Sequence, residues 1–110
     1  MLHILFFIII FLHGIIHFMG FAKSLDIEID YIKTPISKIT GLCWMMTAGL
    51  LVLSSFLLIQ DKQGWWMIAI PAVVLSQILI IKNWRDARAG TVVNAAILIA
   101  ALLTALMLTK

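Results

Sequence analysis

Charged residues divide the chain into four long apolar runs. None occurs from Met1 to Ala22, between Lys38 and Asp61, from Gly64 to Ile81, or from Gly90 to Thr109. Each run holds 18 to 22 residues, and a helix rising 1.5 Å per residue needs about 20 to cross a hydrocarbon core of ~30 Å. The pattern predicts spans at about residues 2–21, 35–59, 65–82 and 90–108. The residues between the runs agree with this division. Thr34-Pro35 offers a capping hydroxyl and then a proline at the first helical position. The link Gln60 to Gly64 is short enough to make the flanking spans antiparallel neighbours. Trp65-Trp66 is the aromatic pair expected at a membrane surface, and Pro71 should kink the third span. In the first connection, Ala22 to Thr34, apolar Leu25, Ile27, Ile29 and Ile32 interleave with Asp26, Glu28 and Asp30, which reads as an extended interfacial segment. Asn83 to Ala89 reads as a loop.

Composition turns this pattern into a fold class. Apolar residues make up 64% of the 110-residue chain and charged residues 12%, against roughly 45–50% and 25% in soluble domains. A soluble chain this short has no interior that could hide four such segments. The expectation is one all-α domain, an integral membrane four-helix bundle. The first run lacks a basic leader and a small-residue cleavage site, and it exceeds the apolar length of a signal peptide, so it reads as a retained span. Cys43 is the only cysteine, which excludes an internal disulfide and gives no zinc framework. The net charge of +3 does not argue for nucleic acid, because the basic residues flank spans. Membrane lipids are the partners they fit, with other membrane subunits or a second copy of the chain left open.

Depth along the spans gathers the polar residues at one end. His13 and His17 on span one, Thr40, Cys43 and Thr47 on span two, Gln77 and Asn83 on span three, and Thr91 and Asn94 on span four all fall in one leaflet. Ser54, Ser55 and Thr104 are what the other leaflet holds. Polar groups in hydrocarbon face the bundle interior and find partners there, so a polar cavity is expected at that end. His13 and His17, four apart, share a helix face that Gly20 continues. The face carrying Asn94 should meet theirs, and Asn94 lies too deep to cap a helix. Asp86 should sit at the cavity mouth, or it or Thr91 should cap span four. The candidate ligand-binding set is His13, His17, Gln77, Asp86, Thr91 and Asn94.

Three functions fit these residues. The first is a binding or accessory membrane subunit. The second is a redox component contacting a quinone or a metal through His13 and His17, and the third is a small proton-coupled transporter. A simpler role for the histidines, fastening helices through Gln77, Asn94 or a backbone carbonyl, stands beside all three. A metal would find few ligands, since only Cys43 and Asp86 could join the histidines. Haem is a poorer fit still, because two histidines on one helix cannot take opposite faces of one porphyrin. No Ser-His-Asp set, phosphate loop or carboxylate pair suggests an enzyme.

Three segments carry a resemblance. HGIIHFMGF at 13–21, PISKITGLCW at 35–44 and WRDARAGTVVN at 84–94 together resemble an uncharacterised family of small bacterial four-helix inner-membrane proteins. The family pattern is H-G-x-I-H-x-x-G-F ending span one and W-x-D-A-x-x-G-T-x-x-N leading into span four. The resemblance covers nearly the whole chain. It implies a bacterial inner-membrane location and marks His13, His17, Asp86, Thr91 and Asn94. Some members carry this unit before a soluble domain. In size and span count the chain is also loosely similar to DoxX-like proteins and small multidrug exporters, but span one lacks the membrane-embedded glutamate such exporters use.

Basic residues set the expected orientation. Lys23, Lys33, Lys38, Lys82, Arg85 and Arg88 flank the first and third connections, against Lys62 and Lys110 on the other side. That bias places the first and third connections in the cytoplasm and both termini outside. A reporter pair fused after Lys110 should therefore read as external. Activity of the cytoplasm-specific reporter alone would reverse the orientation.

Overall fold

A computed structural model describes residues 2–25, 27, 36–60 and 64–108, except for the side chains of Leu2, His3, Asp86 and Leu108. Regular structure among these residues is entirely helical: α1 (Leu2–Ser24), α2 (Lys38–Ile59), α3 (Trp65–Lys82), a single turn α4 (Trp84–Ala87) and α5 (Gly90–Leu108). Helices α1, α2, α3 and α5 are each long and apolar enough to cross a membrane. The chain is a multi-pass membrane protein built as a four-helix bundle.

The ends of the helices show where local chemistry departs from expectation. The second span begins at Lys38, with Ile36 and Ser37 outside the helix. Ser37 is extended, and its hydroxyl accepts from the backbone N–H of Thr40 at 3.2 Å and donates to the Thr40 hydroxyl at 2.9 Å. A side chain placed to satisfy an orphan N–H sets the start of the helix. The expected start at Thr34-Pro35, and most of the expected extended segment, lie outside the described residues. So do Asp61, Lys62 and Gln63 of the second connection. The third connection is more ordered than a loop. Ala87 N–H donates to the Asn83 carbonyl and Arg88 N–H to that of Trp84, closing the turn of α4. Pro71 lies inside α3 without ending it.

Helix α1 packs along α2, α2 against α3, and α3 against α5, while α5 meets α1 only lightly. Large apolar side chains cover the outside of the bundle as well as its core, and hydroxyl groups are buried among them. Ile4, Leu12 and Ile16 of α1 and Val92, Ile99 and Leu103 of α5 face outward, whereas Thr47, Ser54, Ser55 and Ser76 are fully buried. Lipid is as apolar as leucine, so helices associate through close packing and interior hydrogen bonds. Aromatic rings of α1 and α2 pack on one another, Phe56 on the outer face. Phe7, Phe11 and Phe56 sit with centroids 5.6 to 5.9 Å apart, and the apolar core toward the chain termini holds Ile10, Leu51, Leu58, Ala69, Ile97 and Ala101. There the Ser54 hydroxyl also donates to the Trp65 carbonyl at 3.2 Å, tying the end of α2 to the start of α3.

At the other end α1 and α2 touch through glycine. A methyl group at Gly41 would overlap the Ser24 side chain, and one at Gly20 would overlap the indole of Trp44. Ser24 can rotate away, but the indole is rigid and 6% exposed. Gly20→Ala should therefore lower stability by about 1–3 kcal/mol, the usual cost of overpacking. Unfolding in mixed micelles measures it, and an unchanged midpoint would show that the contact has slack.

Candidate functional site

The interior polar residues of α1, α3 and α5 form one hydrogen-bonded ring. His17 Nδ1 lies 2.7 Å from the His13 carbonyl oxygen, an atom that can only accept. Nδ1 must therefore carry the hydrogen, which leaves Nε2 of the neutral imidazole as an acceptor. Ser76 Oγ, 2.7 Å from that Nε2, must donate to it. The serine oxygen is then free to accept from Asn94 Nδ2 at 3.0 Å. That orients the amide, so Asn94 Oδ1 faces His13 Nε2 at 2.8 Å and accepts its hydrogen. The circuit runs from His13 to Asn94 to Ser76 to His17 and back to His13, every donor pointing the same way round. A branch leaves it where Asn94 Nδ2 also donates to Gln77 Oε1 at 3.1 Å and Gln77 Nε2 to the Thr91 hydroxyl at 3.1 Å.

Helix spacing makes this possible. His13 and His17 are one turn apart on α1, their ring centroids 4.6 Å apart and nearly perpendicular. Ser76 and Gln77 are consecutive on α3 and point to opposite sides of Asn94, one toward α1 and one toward Thr91. His13, His17, Ser76 and Asn94 are all at most 5% exposed. With their partners in place, this burial is tolerated where isolated polar groups would not be.

Of the six residues singled out in the sequence, His13, His17, Gln77, Thr91 and Asn94 belong to the network. Asp86 belongs to the backbone of α4, and its side chain is not described. Thr91 bonds Gln77, and Gln77 reaches no histidine. The expected contribution of span two is smaller than its composition suggests. Thr47 donates to the Cys43 carbonyl of its own helix, Thr40 caps with Ser37, and Cys43 is exposed. Ser76 was not foreseen, because a serine in an apolar span can always bond its own backbone and looks like filler.

A cavity of about 420 Å³ adjoins the ring at the α4 end of the bundle. His13, Ile16, Trp44, Ile80, Asn83 and Gly90 are among its walls. Its lining is largely apolar, so the polar side chains are gathered into the network while the space itself is greasy. Gly90 keeps it open beside His13, since a Cβ there would come within 3.4 Å of His13 Cε1 and 2.8 Å of Ile80 Cδ1. Trp44 stacks obliquely on His17, centroids 5.0 Å apart. Its Nε1–H is buried with no partner among the described residues. On the far side of Asn94, Gln77, Thr91 and Asn94 also edge a shallower groove between α3 and α5.

The histidines are poorly disposed toward a metal. Both ring nitrogens of His17 are already engaged, and no group of three or more His, Cys, Asp or Glu side chains converges among the described residues. Ligation by His17 would break the ring.

The network's role in stability can be measured residue by residue. Intramembrane hydrogen bonds average about 0.6 kcal/mol each. Asn94→Leu, which deletes three, should cost about 2 kcal/mol, and Ser76→Ala about 1 kcal/mol. Coupling between Ser76→Ala and His17→Leu in a double-mutant cycle should be non-zero. Strict additivity would mean that the 2.7 Å contact contributes nothing. In comparisons with known proteins, no family model, curated protein or solved structure matches this chain.

Proposed function

We propose that the chain is a small membrane binding subunit that holds an apolar molecule in the cavity beside His13. The observation that carries this reading is the combination of an apolar space of about 420 Å³, within the range of small-molecule sites, and one wall fixed by a closed hydrogen-bond ring. A helix-fastening network alone needs no adjoining space. Here Gly90 leaves such a space open against the imidazole. The basic bias of the connections supports a cytoplasmic location for the α4 end and external termini. The resemblance at residues 13–21 and 84–94 supports a bacterial inner membrane. Access from the bilayer would run between α1 and α5, the neighbouring membrane-spanning helices in lightest contact.

Ala89 lines the cavity and is exposed, so a phenylalanine there should plug it without touching the network. Native mass spectrometry of protein released from lipid particles should show an apolar adduct at one per chain, reduced at least fivefold in Ala89→Phe. Equal adduct levels in the two proteins, or no adduct in either, would remove the binding function.

A further inference from the structure

Resting on the reading of the cavity as a ligand site, we propose that its ligand is an apolar molecule bearing a hydroxyl group, which donates its hydrogen to Nδ1 of His13. The direction of the ring carries the inference. Because the His13 carbonyl can only accept, each successive bond is forced, and the hydrogen of the His13 imidazole is fixed on Nε2 facing Asn94. Nδ1 is left as a bare acceptor. Among the described residues nothing bonds to it, and Trp44 Nε1 is the one sealed side-chain polar atom without a partner, so Nδ1 keeps accessible surface on a residue that lines the cavity. His13 itself is 5% exposed. A nearly buried acceptor in an apolar wall selects for a donor, since an unmet polar group there is costly.

The ring also removes the alternatives. A ligand offering only carbonyl or ether oxygens would face a lone pair with a lone pair. His13 cannot swap tautomers to meet it unless Asn94, Ser76 and His17 all reverse, and His17 cannot reverse against a carbonyl. A hydroxyl answers the lone pair on His13 Nδ1 by giving its hydrogen to it. An isoprenoid quinol and a diglyceride share this chemistry, an apolar body with a hydroxyl head.

The test uses the full chain in lipid nanodiscs, with equilibrium dialysis against empty nanodiscs to remove partitioning. The probes are 2-naphthol and its methyl ether, which share the ring system and the oxygen and differ by a methyl group in place of the donor hydrogen. Naphthol should bind roughly tenfold tighter, the scale of one buried hydrogen bond, and the difference should vanish in His13→Phe. If that variant does not fold, nitrogen NMR of histidine-labelled wild-type protein decides. Naphthol should shift Nδ1 of His13 and leave both nitrogens of His17 in place. Equal binding of the two probes, or a shift at His17 alone, overturns the donor inference while leaving the cavity as a site. Binding of neither probe overturns the binding function as well. Displacement of naphthol by decylhydroquinone but not dioctanoylglycerol, or the reverse, assigns the source of the hydroxyl.

Discussion

The His13 carbonyl oxygen has no hydrogen to give, and in the hydrocarbon interior that simple asymmetry propagates. Because His17 must donate to it, Ser76 must donate to His17, Asn94 to Ser76, and His13 to Asn94. A backbone atom thus dictates the proton position on two imidazoles and the orientation of an amide. In water any of these groups could turn to the solvent. In a bilayer the alternative to the ring is an unpaired dipole in oil, so helices α1, α3 and α5 are held at the one rotation and depth where the ring closes.

Two different kinds of adhesion therefore build the bundle. Along α1 and α2, small residues let the helices approach until backbone meets side chain, as at Gly20 against Trp44. Such contact is strong in sum but tolerant of small slides. Between α1, α3 and α5 the polar ring is directional and fixes register. The light contact between α1 and α5 is thus compensated by the His13–Asn94 bond, which ties those helices across the edge of the cavity.

The architecture was legible because it depends on long-range composition. Four uncharged runs of the right length leave little choice, and the observed helices end within a few residues of those limits. His13, His17 and Asn94 stood out because imidazole and carboxamide in a span require partners. Their meeting followed from antiparallel spans and depth alone. What was not legible depends on rotation and on small groups. Ser76 is decisive through one hydroxyl that sequence reading assigns to its own helix. Ser37 sets the start of α2 at Lys38, three residues after the expected Pro35, through a single local bond, and α4 formed in a segment whose charges suggested a loop. The cavity was expected to be polar, yet glycine and apolar side chains line most of it, and emptiness beside a glycine leaves no mark in a sequence.

The circular sense of the ring has an electrostatic consequence. Four donors pointing head to tail around a closed path produce bond dipoles that largely cancel, so a cluster containing two imidazoles, an amide and a hydroxyl exerts little field on its surroundings. An open chain of the same groups would add its dipoles and polarise the nearby lipid. The branch outside the closed path runs through Gln77 to Thr91, and it carries the hydrogen-bonded polarity toward the groove between α3 and α5.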